Sequence, residues 1–131
     1  MVNIIITGGS SSIGRELISK LSLKKVNIIY QINKSKPFIK KKNINFIRSD
    51  FCNHVSLKKF INFVTKKTNK IDFLIHLPSS KIQIKKFEDY SWFEINSQIN
   101  IQVRSLHFLL TSLIKKKMLS RKTKIIILGS E

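Results

Sequence analysis

The chain has 131 residues, of which 42% are hydrophobic, so it can form one domain with a buried core and is too apolar for a disordered chain. Its formal net charge of +18 is by itself typical of a protein that binds a polyanion. The lysines are nevertheless spread over every segment, alanine is absent, and the residues with A/T-rich codons are in excess. We therefore interpret most of the charge as compositional bias and do not predict nucleic acid as a partner.

Cys52 is the single cysteine, so no disulfide can form within the chain and a reducing compartment is expected. No apolar stretch approaches the roughly 20 residues that a membrane-spanning helix needs, and the N-terminal apolar run is shorter than a signal-peptide core. We predict a cytoplasmic protein without a membrane segment. His54, His76 and His107 lack metal-ligand spacing, so we predict no metal site and interpret them as surface or interface histidines.

Short apolar runs alternate along the chain with segments of helical spacing. In chain order, the pattern predicts a strand at Val2–Thr7, a helix at Ile13–Leu23, a strand at Val26–Ile32, a loop at Asn33–Asn43, a strand at Ile44–Arg48, a helix at Val55–Thr68, a strand at Ile71–Leu77, a short helix at Phe87–Ile95, a long helix at Ile99–Met118 and a strand at Lys124–Gly129. Trp92 and Phe93 are predicted to be core residues. This alternation predicts one α/β domain, residues 1–131, with a doubly wound parallel sheet of order 3-2-1-4-5.

The stretch TGGSSSIG lies between the first predicted strand and the first predicted helix. Gly8 and Gly9 open the turn, Ser10 and Ser11 can donate from their hydroxyls, and Gly14 allows the helix to pack close to the sheet. Backbone amides and the positive end of a helix suit a pyrophosphate. A plain Ser/Gly turn between a strand and a helix gives the same pattern, so the loop alone leaves both interpretations open.

Five stretches, taken in order, resemble the short-chain dehydrogenase/reductase family. That family's loop reads TGxxxGxG; here Thr7, Gly8 and Gly14 match, and Ser12 replaces the middle glycine. RSDFCN resembles the end of the family's third strand, INI resembles the vNl of its long helix, and KIIILGS resembles the strand that ends in its catalytic serine. IDFLIHLPSS resembles iDxLvnNAG, although residues 76–79 replace the Asn-Asn-Ala-Gly core.

The resemblance implies a dinucleotide cofactor at the carboxyl ends of the strands. The residues expected to line it are Gly8, Ser10, Ser11, Ser12, Ile13 and Gly14 at the pyrophosphate, Asp50 and Phe51 at the adenine, and Leu77 and Pro78 at the adenine-side ribose. The second strand leads into YQINKSK, which offers no acidic residue for the ribose 2′-hydroxyl of NAD. Lys34, in an NKS that resembles the family's NRS, would pair with the 2′-phosphate of NADP. We predict NADP, with NAD as the alternative.

In its full-length form such a protein would reversibly reduce a small-molecule carbonyl to an alcohol by hydride transfer. Asn100 and Ser130 correspond to the family's active-site asparagine and serine. The family's Tyr-x-x-x-Lys is missing, because Tyr30 lies in the second strand and the residue four positions after Tyr90 is Glu94. We therefore predict the first part of a longer reductase, with a sheet that is incomplete on its C-terminal side.

Two other functions stay open. The chain can be a non-catalytic dinucleotide-binding sensor or scaffold, or, less favoured, a basic RNA-binding module, which would need basic residues gathered on one face with interleaved aromatics. The open edge of the fifth strand predicts association. We expect a homo-oligomer formed through the long helix.

Overall fold

The computed structural model describes residues 1–78 and 84–128. The strands are β1 (Val2–Thr7), β2 (Val26–Ile32), β3 (Ile44–Arg48), β4 (Phe73–His76) and β5 (Lys124–Ile127). The helices are α1 (Ser12–Leu21), α2 (His54–Lys67), α3 (Trp92–Ile99) and α4 (Ser105–Lys115). A 3₁₀ turn at Phe87–Asp89 precedes α3, and a π-helical turn at Asn100–Arg104 joins α3 to α4. No helix of the described residues is both long and apolar enough to cross a bilayer.

The five strands form one parallel sheet of order β3-β2-β1-β4-β5, which confirms the predicted topology. In the central strand, Ile5 lies beside Ile29 of β2 and Leu74 of β4. Successive side chains of a strand point to opposite faces. Ile5 accordingly packs in the cluster with α2 and α4, whereas Ile4 packs in the cluster with α1. Because helices cover both faces, the inner strands are apolar at nearly every position.

The short helix predicted at Phe87–Ile95 and the long helix predicted at Ile99–Met118 are joined in the structure, and their observed bounds differ from the predicted ones. Helix α3 begins at Trp92, because the Ser91 hydroxyl accepts from the Glu94 amide (3.1 Å) and the Glu94 carboxylate accepts from the Ser91 amide (2.8 Å). This reciprocal cap fixes a helix start. From Trp92 the helix continues through the π-helical turn to Lys115, so one continuous helix replaces the two predicted ones.

The prediction that Trp92 and Phe93 belong to the core is wrong, since they are 77% and 79% exposed. Both residues lie in the first turn of α3, and neither belongs to a hydrophobic cluster of the described residues. The side chains of Ile125, Ile126 and Ile127 in β5 are half exposed as well. Among the described strands β5 pairs with β4 alone, so its outer edge is open, as the sequence predicts.

Candidate functional site

A cleft of about 280 Å³ opens at the carboxyl ends of the strands. The connections that follow β1, β2, β3 and β4 all reach it, and the π-helical turn contributes one residue. The residues that line the cleft are Gly8, Ser10, Ser11, Gln31, Asn33, Asp50, Phe51, Leu77, Pro78 and Ile101. Clefts at this edge are where doubly wound sheets bind their ligands.

Two glycines leave no room for a side chain at the turn between β1 and α1. Gly8 has φ +72°, and a Cβ atom at this position would lie 2.6 Å from the backbone nitrogen of Pro78. A Cβ on Gly14 would lie 2.8 Å from the carbonyl oxygens of both Gly8 and Gly9. Helix α1 therefore starts in direct contact with the turn, as predicted for Gly14, and no larger residue fits at either position without moving the backbone.

Gln31 connects the ends of β1, β2 and β3 by hydrogen bonds, a role that was not predicted from the sequence. Its Oε1 accepts from the Gly8 amide (2.7 Å), its Nε2 donates to the Ser49 carbonyl (2.6 Å), and its own carbonyl accepts from the Gly9 amide (2.8 Å). Gln31 is buried although it is polar. A glutamine inside the apolar run NIIYQI is a signal that could have identified it, because a buried polar side chain needs partners.

The start of α1 presents backbone donors that the fold leaves available. Ser11 is the N-cap, and its hydroxyl accepts from the Gly14 amide at 3.0 Å. The amides of Ser10, Ser12 and Ile13 make no hydrogen bond within the described part of the chain. The first amides of a helix have no intrahelical acceptor and carry the positive end of the helix dipole. This arrangement can hold an anionic group.

Ser12 replaces a family glycine without backbone strain. It is the first residue of α1, and among the described non-glycine residues only Lys117 has a positive φ. The substitution therefore leaves the path of the loop intact.

The connection after β3 forms the far wall of the cleft. The Asp50 carboxylate accepts from the Cys52 amide at 2.9 Å, which fixes a tight turn. Phe51 is buried and contacts Phe60 edge-on with ring centroids 5.3 Å apart, so it presents only its margin to the cleft. Burial, and after it the Asp50 charge, raises the pKa of the Cys52 thiol.

Several predicted site residues lie beside the cleft and do not line it. Ser12, Ile13 and Gly14 lie behind the turn, and Lys34 is an exposed neighbour of the lining residue Asn33. Ser12, Ile13 and Gly14 form the first turn of α1, and Lys34 lies in the connection after β2.

The two predicted catalytic residues have different positions. Asn100 begins the π-helical turn and accepts from Nη1 of Arg104 at 2.8 Å, while the next residue, Ile101, lines the cleft. Ser130 lies outside the described residues.

His76 is buried, so its interpretation as a surface or interface histidine is wrong. It ends β4 in the middle of the sheet, where its Nδ1 lies 2.8 Å from the Thr7 hydroxyl. Its Nε2 faces the backbone of Ile101 without a hydrogen bond of standard geometry. Burial lowers the pKa of His76 to about 4, so the ring is neutral at physiological pH. No group of three or more potential metal ligands is found in the described residues.

The parallel sheet, the glycine-serine turn at a helix start and the cleft beyond the strand ends together define a doubly wound α/β domain of the dinucleotide-binding type. The chain belongs to the short-chain dehydrogenase family, whose model matches residues 2–131. No curated protein gives a significant sequence match.

Solved structures from this family share the fold. A short chain dehydrogenase family protein from Francisella tularensis superposes with a TM-score of 0.85 at 21% identity, over 99% of this chain and 51% of its own. A Burkholderia cenocepacia short chain dehydrogenase in complex with NADP gives 0.81 at 17% identity, over 98% and 55%. One from Leptospira borgpetersenii with bound NAD+ gives 0.80 at 23%, over 98% and 51%. The chain thus spans about half the length of these proteins.

Proposed function

We propose that this chain is the cofactor-binding part of an oxidoreductase that uses NADP, with NAD as the alternative, to interconvert a small-molecule carbonyl and an alcohol. The observation that carries the proposal is the cleft in which a glycine with a positive φ, the free amides of a helix start and the ends of four strands meet. Family membership supports it, and two solved members hold NADP or NAD+. We expect the protein to be cytoplasmic.

The residues of the cleft fit a dinucleotide. Gly8 leaves room for a phosphate at the turn, and the amides of Ser10, Ser12 and Ile13 are available as donors to it. Lys34 is exposed and placed after β2, where a cation would pair with a 2′-phosphate.

The remaining wall residues would enclose the adenosine. We assign Asp50 and Phe51 to the adenine and Leu77 and Pro78 to the adjacent ribose, since both pairs line the same cleft. Ser11 and Gly14 act on the pyrophosphate indirectly, because the Ser11 cap holds the Gly14 amide and sets the direction of α1.

The chemistry of the bound cofactor is hydride transfer. In this chain we assign the orientation of the substrate carbonyl to Asn100 and Ser130. A proton donor is also needed for the alkoxide, and the family's Tyr-x-x-x-Lys does not occur in these 131 residues. Turnover is therefore proposed for a protein that contains this segment in addition.

A second candidate is a dinucleotide-binding sensor or scaffold without catalysis, which the same cleft would serve. The two functions differ in one measurement. Both predict saturable cofactor binding by this chain, and only the oxidoreductase predicts carbonyl-dependent oxidation of NADPH when the chain is joined to a segment that carries Tyr-x-x-x-Lys.

Calorimetric titration of the folded 131-residue chain with NADPH and NADH tests the binding step. We expect saturable binding of both and a preference for NADPH. Lys34→Gln should weaken NADPH binding about tenfold and leave NADH binding unchanged, while Lys36→Gln, an equal charge change at an exposed position two residues further on, should alter neither. A folded chain that binds neither nucleotide would refute the proposal.

We further propose that the protein forms a homo-oligomer through the continuous helix of residues 92–115. Ile99, Val103 and Ile114 on this helix are all substantially exposed, which is costly for a monomer in water. Val103→Lys should shift the sedimentation coefficient toward the monomer. A sedimentation profile that this change leaves unaltered would argue against the helix as the contact.

A further inference from the structure

The fold gathers the positive charge of the chain at the amino-terminal edge of the sheet, opposite the cleft. In a parallel sheet all strands begin at one edge, so the helix ends and the connections that lead into the strands meet there. Segments 20–25, 40–42, 66–72 and 115–124 lead into β2, β3, β4 and β5 and contain fifteen of the 25 lysines and arginines. They contain one acidic residue, Asp72, whose carboxylate is 3.0 Å from the ammonium group of Lys70.

A continuous groove runs along this edge. Three adjoining depressions of about 250, 530 and 280 Å³ form it. The first and second share Lys67 and Thr68, and the second and third share Thr68 and Asn69. The groove therefore extends from Lys42 before β3, beneath the end of α2, to Lys116 after α4. We call it the basic groove.

Amide side chains line the basic groove beside Ile4, Ile5 and Ile29. Asn3 of β1, Asn27 of β2 and Asn45 of β3 line it, one from each of three neighbouring strands. The Asn27 side chain donates to the Asn3 side chain at 3.0 Å. Two positions further along the first two strands, Ile5 and Ile29 are buried in the core. The asparagine side chains thus lie at the margin of the core. Their amide groups offer both donors and acceptors to a ligand.

Helix dipoles explain only part of this charge. Cations are favoured in the last turn of a helix, which accounts for Lys66, Lys67 and Lys115. Lys42 and Arg121 lie in connections, where the dipole gives no such preference. Lys42, which lines the groove, adds a positive potential there that no helix end explains.

We propose that the basic groove binds a single-stranded nucleic acid through its phosphate backbone. A linear groove with cations along its length matches a strand that carries a regular series of negative charges. Its asparagine side chains can also hydrogen-bond ribose and base edges, whereas a membrane surface would be met by a convex face with apolar side chains. The described residues that line the groove include no aromatic side chain, so the binding is expected to be independent of sequence and steeply dependent on salt.

Fluorescence anisotropy with a labelled 20-nucleotide single-stranded RNA, and with DNA of the same sequence, tests the proposal. The variant Lys42→Gln, Lys66→Gln, Lys67→Gln removes three groove cations. The control Lys58→Gln, Lys59→Gln, Lys86→Gln removes three exposed cations away from the groove. The groove variant should bind at least tenfold more weakly at 0.1 M salt. The slope of the logarithm of its binding constant against the logarithm of the salt concentration should become smaller in magnitude by about 2. Each lost phosphate contact to a single strand contributes about 0.7 to this slope. The control variant should keep nearly the parent affinity and salt slope.

Three outcomes would overturn the proposal: no binding of either oligonucleotide at low salt, equal loss in groove variant and control, or binding to anionic phosphatidylserine vesicles without binding to the oligonucleotides. Asn45→Ala, which keeps the net charge, should weaken oligonucleotide binding, and an unchanged affinity would exclude a role for this amide side chain. Saturating NADPH should leave oligonucleotide binding intact, since the cleft lies at the other edge of the sheet. Competition between the two ligands would assign the binding to the cleft.

Discussion

The hydroxyl of Thr7 and the Nδ1 atom of His76 lie 2.8 Å apart at the buried carboxyl ends of β1 and β4. The two residues are also partners in the sheet register. Gly8 follows Thr7 in the chain and Leu77 follows His76, so this contact lies next to both walls of the cleft. The side chain at position 76 thereby couples the geometry of the cleft to the stability of the sheet.

This contact predicts a loss of stability in mild acid. Burial lowers the pKa of His76 from 6.5 to about 4. As the pH falls, the His76 imidazole is therefore protonated in the unfolded chain before it is protonated in the folded chain. As the pH falls from about 6.5 to about 4, folding must exclude a proton that the unfolded chain holds, and stability decreases. At 1.4 kcal/mol per pH unit the full loss from this group is about 3 kcal/mol.

Urea unfolding at pH 7 and pH 4.5 measures this effect. His76→Asn should reduce the difference in the free energy of unfolding between pH 7 and pH 4.5 by about 2 kcal/mol. His107→Asn, at an exposed histidine, should keep the parent difference. A His76→Asn chain with the full parental acid sensitivity would show that other groups cause it.

Much of the fold could be predicted from the sequence, because local patterns determine it. Buried parallel strands produce continuous apolar runs, and right-handed crossovers then leave few strand orders. The small-residue turn before α1 was likewise visible. The π-helical turn at Asn100–Arg104 could not be predicted, since apolar spacing continues through it. The burial of His76 and Gln31 was also missed, because their partners Thr7 and Gly8 lie 69 and 23 residues away in the chain.

Gln31 should be a major determinant of stability for its size. Gln31→Leu leaves the part-buried Gly8 amide and the buried Ser49 carbonyl without these partners, and each unsatisfied buried group costs about 1–3 kcal/mol. We expect the free energy of unfolding to fall by about 2–4 kcal/mol in a urea titration. Gln102→Leu, at an exposed glutamine, serves as the control and should stay within about 0.5 kcal/mol. Equal stability of the two variants would contradict the role assigned to Gln31.

Gly14→Ala should damage the turn and cofactor binding together. The added Cβ would lie 2.8 Å from two backbone carbonyl oxygens, so α1 must move away from the turn. Overpacking of this kind costs about 1–3 kcal/mol. Thermal unfolding and NADPH titration of the same sample report both effects. Ser19→Ala, at an exposed position of α1, improves helix propensity and should lower neither quantity.

Lys117→Gly should stabilise the chain. Lys117 has φ 57°, and it sits in a helix end where its amide donates to Ile114 (2.9 Å) and the Met118 amide donates to Leu113 (3.0 Å). This is the helix end that glycine favours, and a left-handed conformation costs an L-residue about 1–2 kcal/mol. Glycine also adds conformational entropy to the unfolded chain, which offsets part of this benefit. We therefore expect the free energy of unfolding to rise by about 1 kcal/mol. Lys116→Gly, at a residue with negative φ, should instead destabilise, and a loss in both variants would contradict the argument.

The open edge of β5 should drive self-association of the 131-residue chain. Ile127 is 55% exposed, and β5 offers an unpaired strand edge among the described residues. Charged side chains on an edge strand discourage pairing with another sheet. Ile127→Lys should therefore reduce the fraction of associated species in sedimentation velocity at micromolar concentration. Val55→Lys makes the same kind of change at an exposed position of α2 and should leave that fraction unchanged. If both variants dissociate the chain equally, net charge rather than the strand edge controls association.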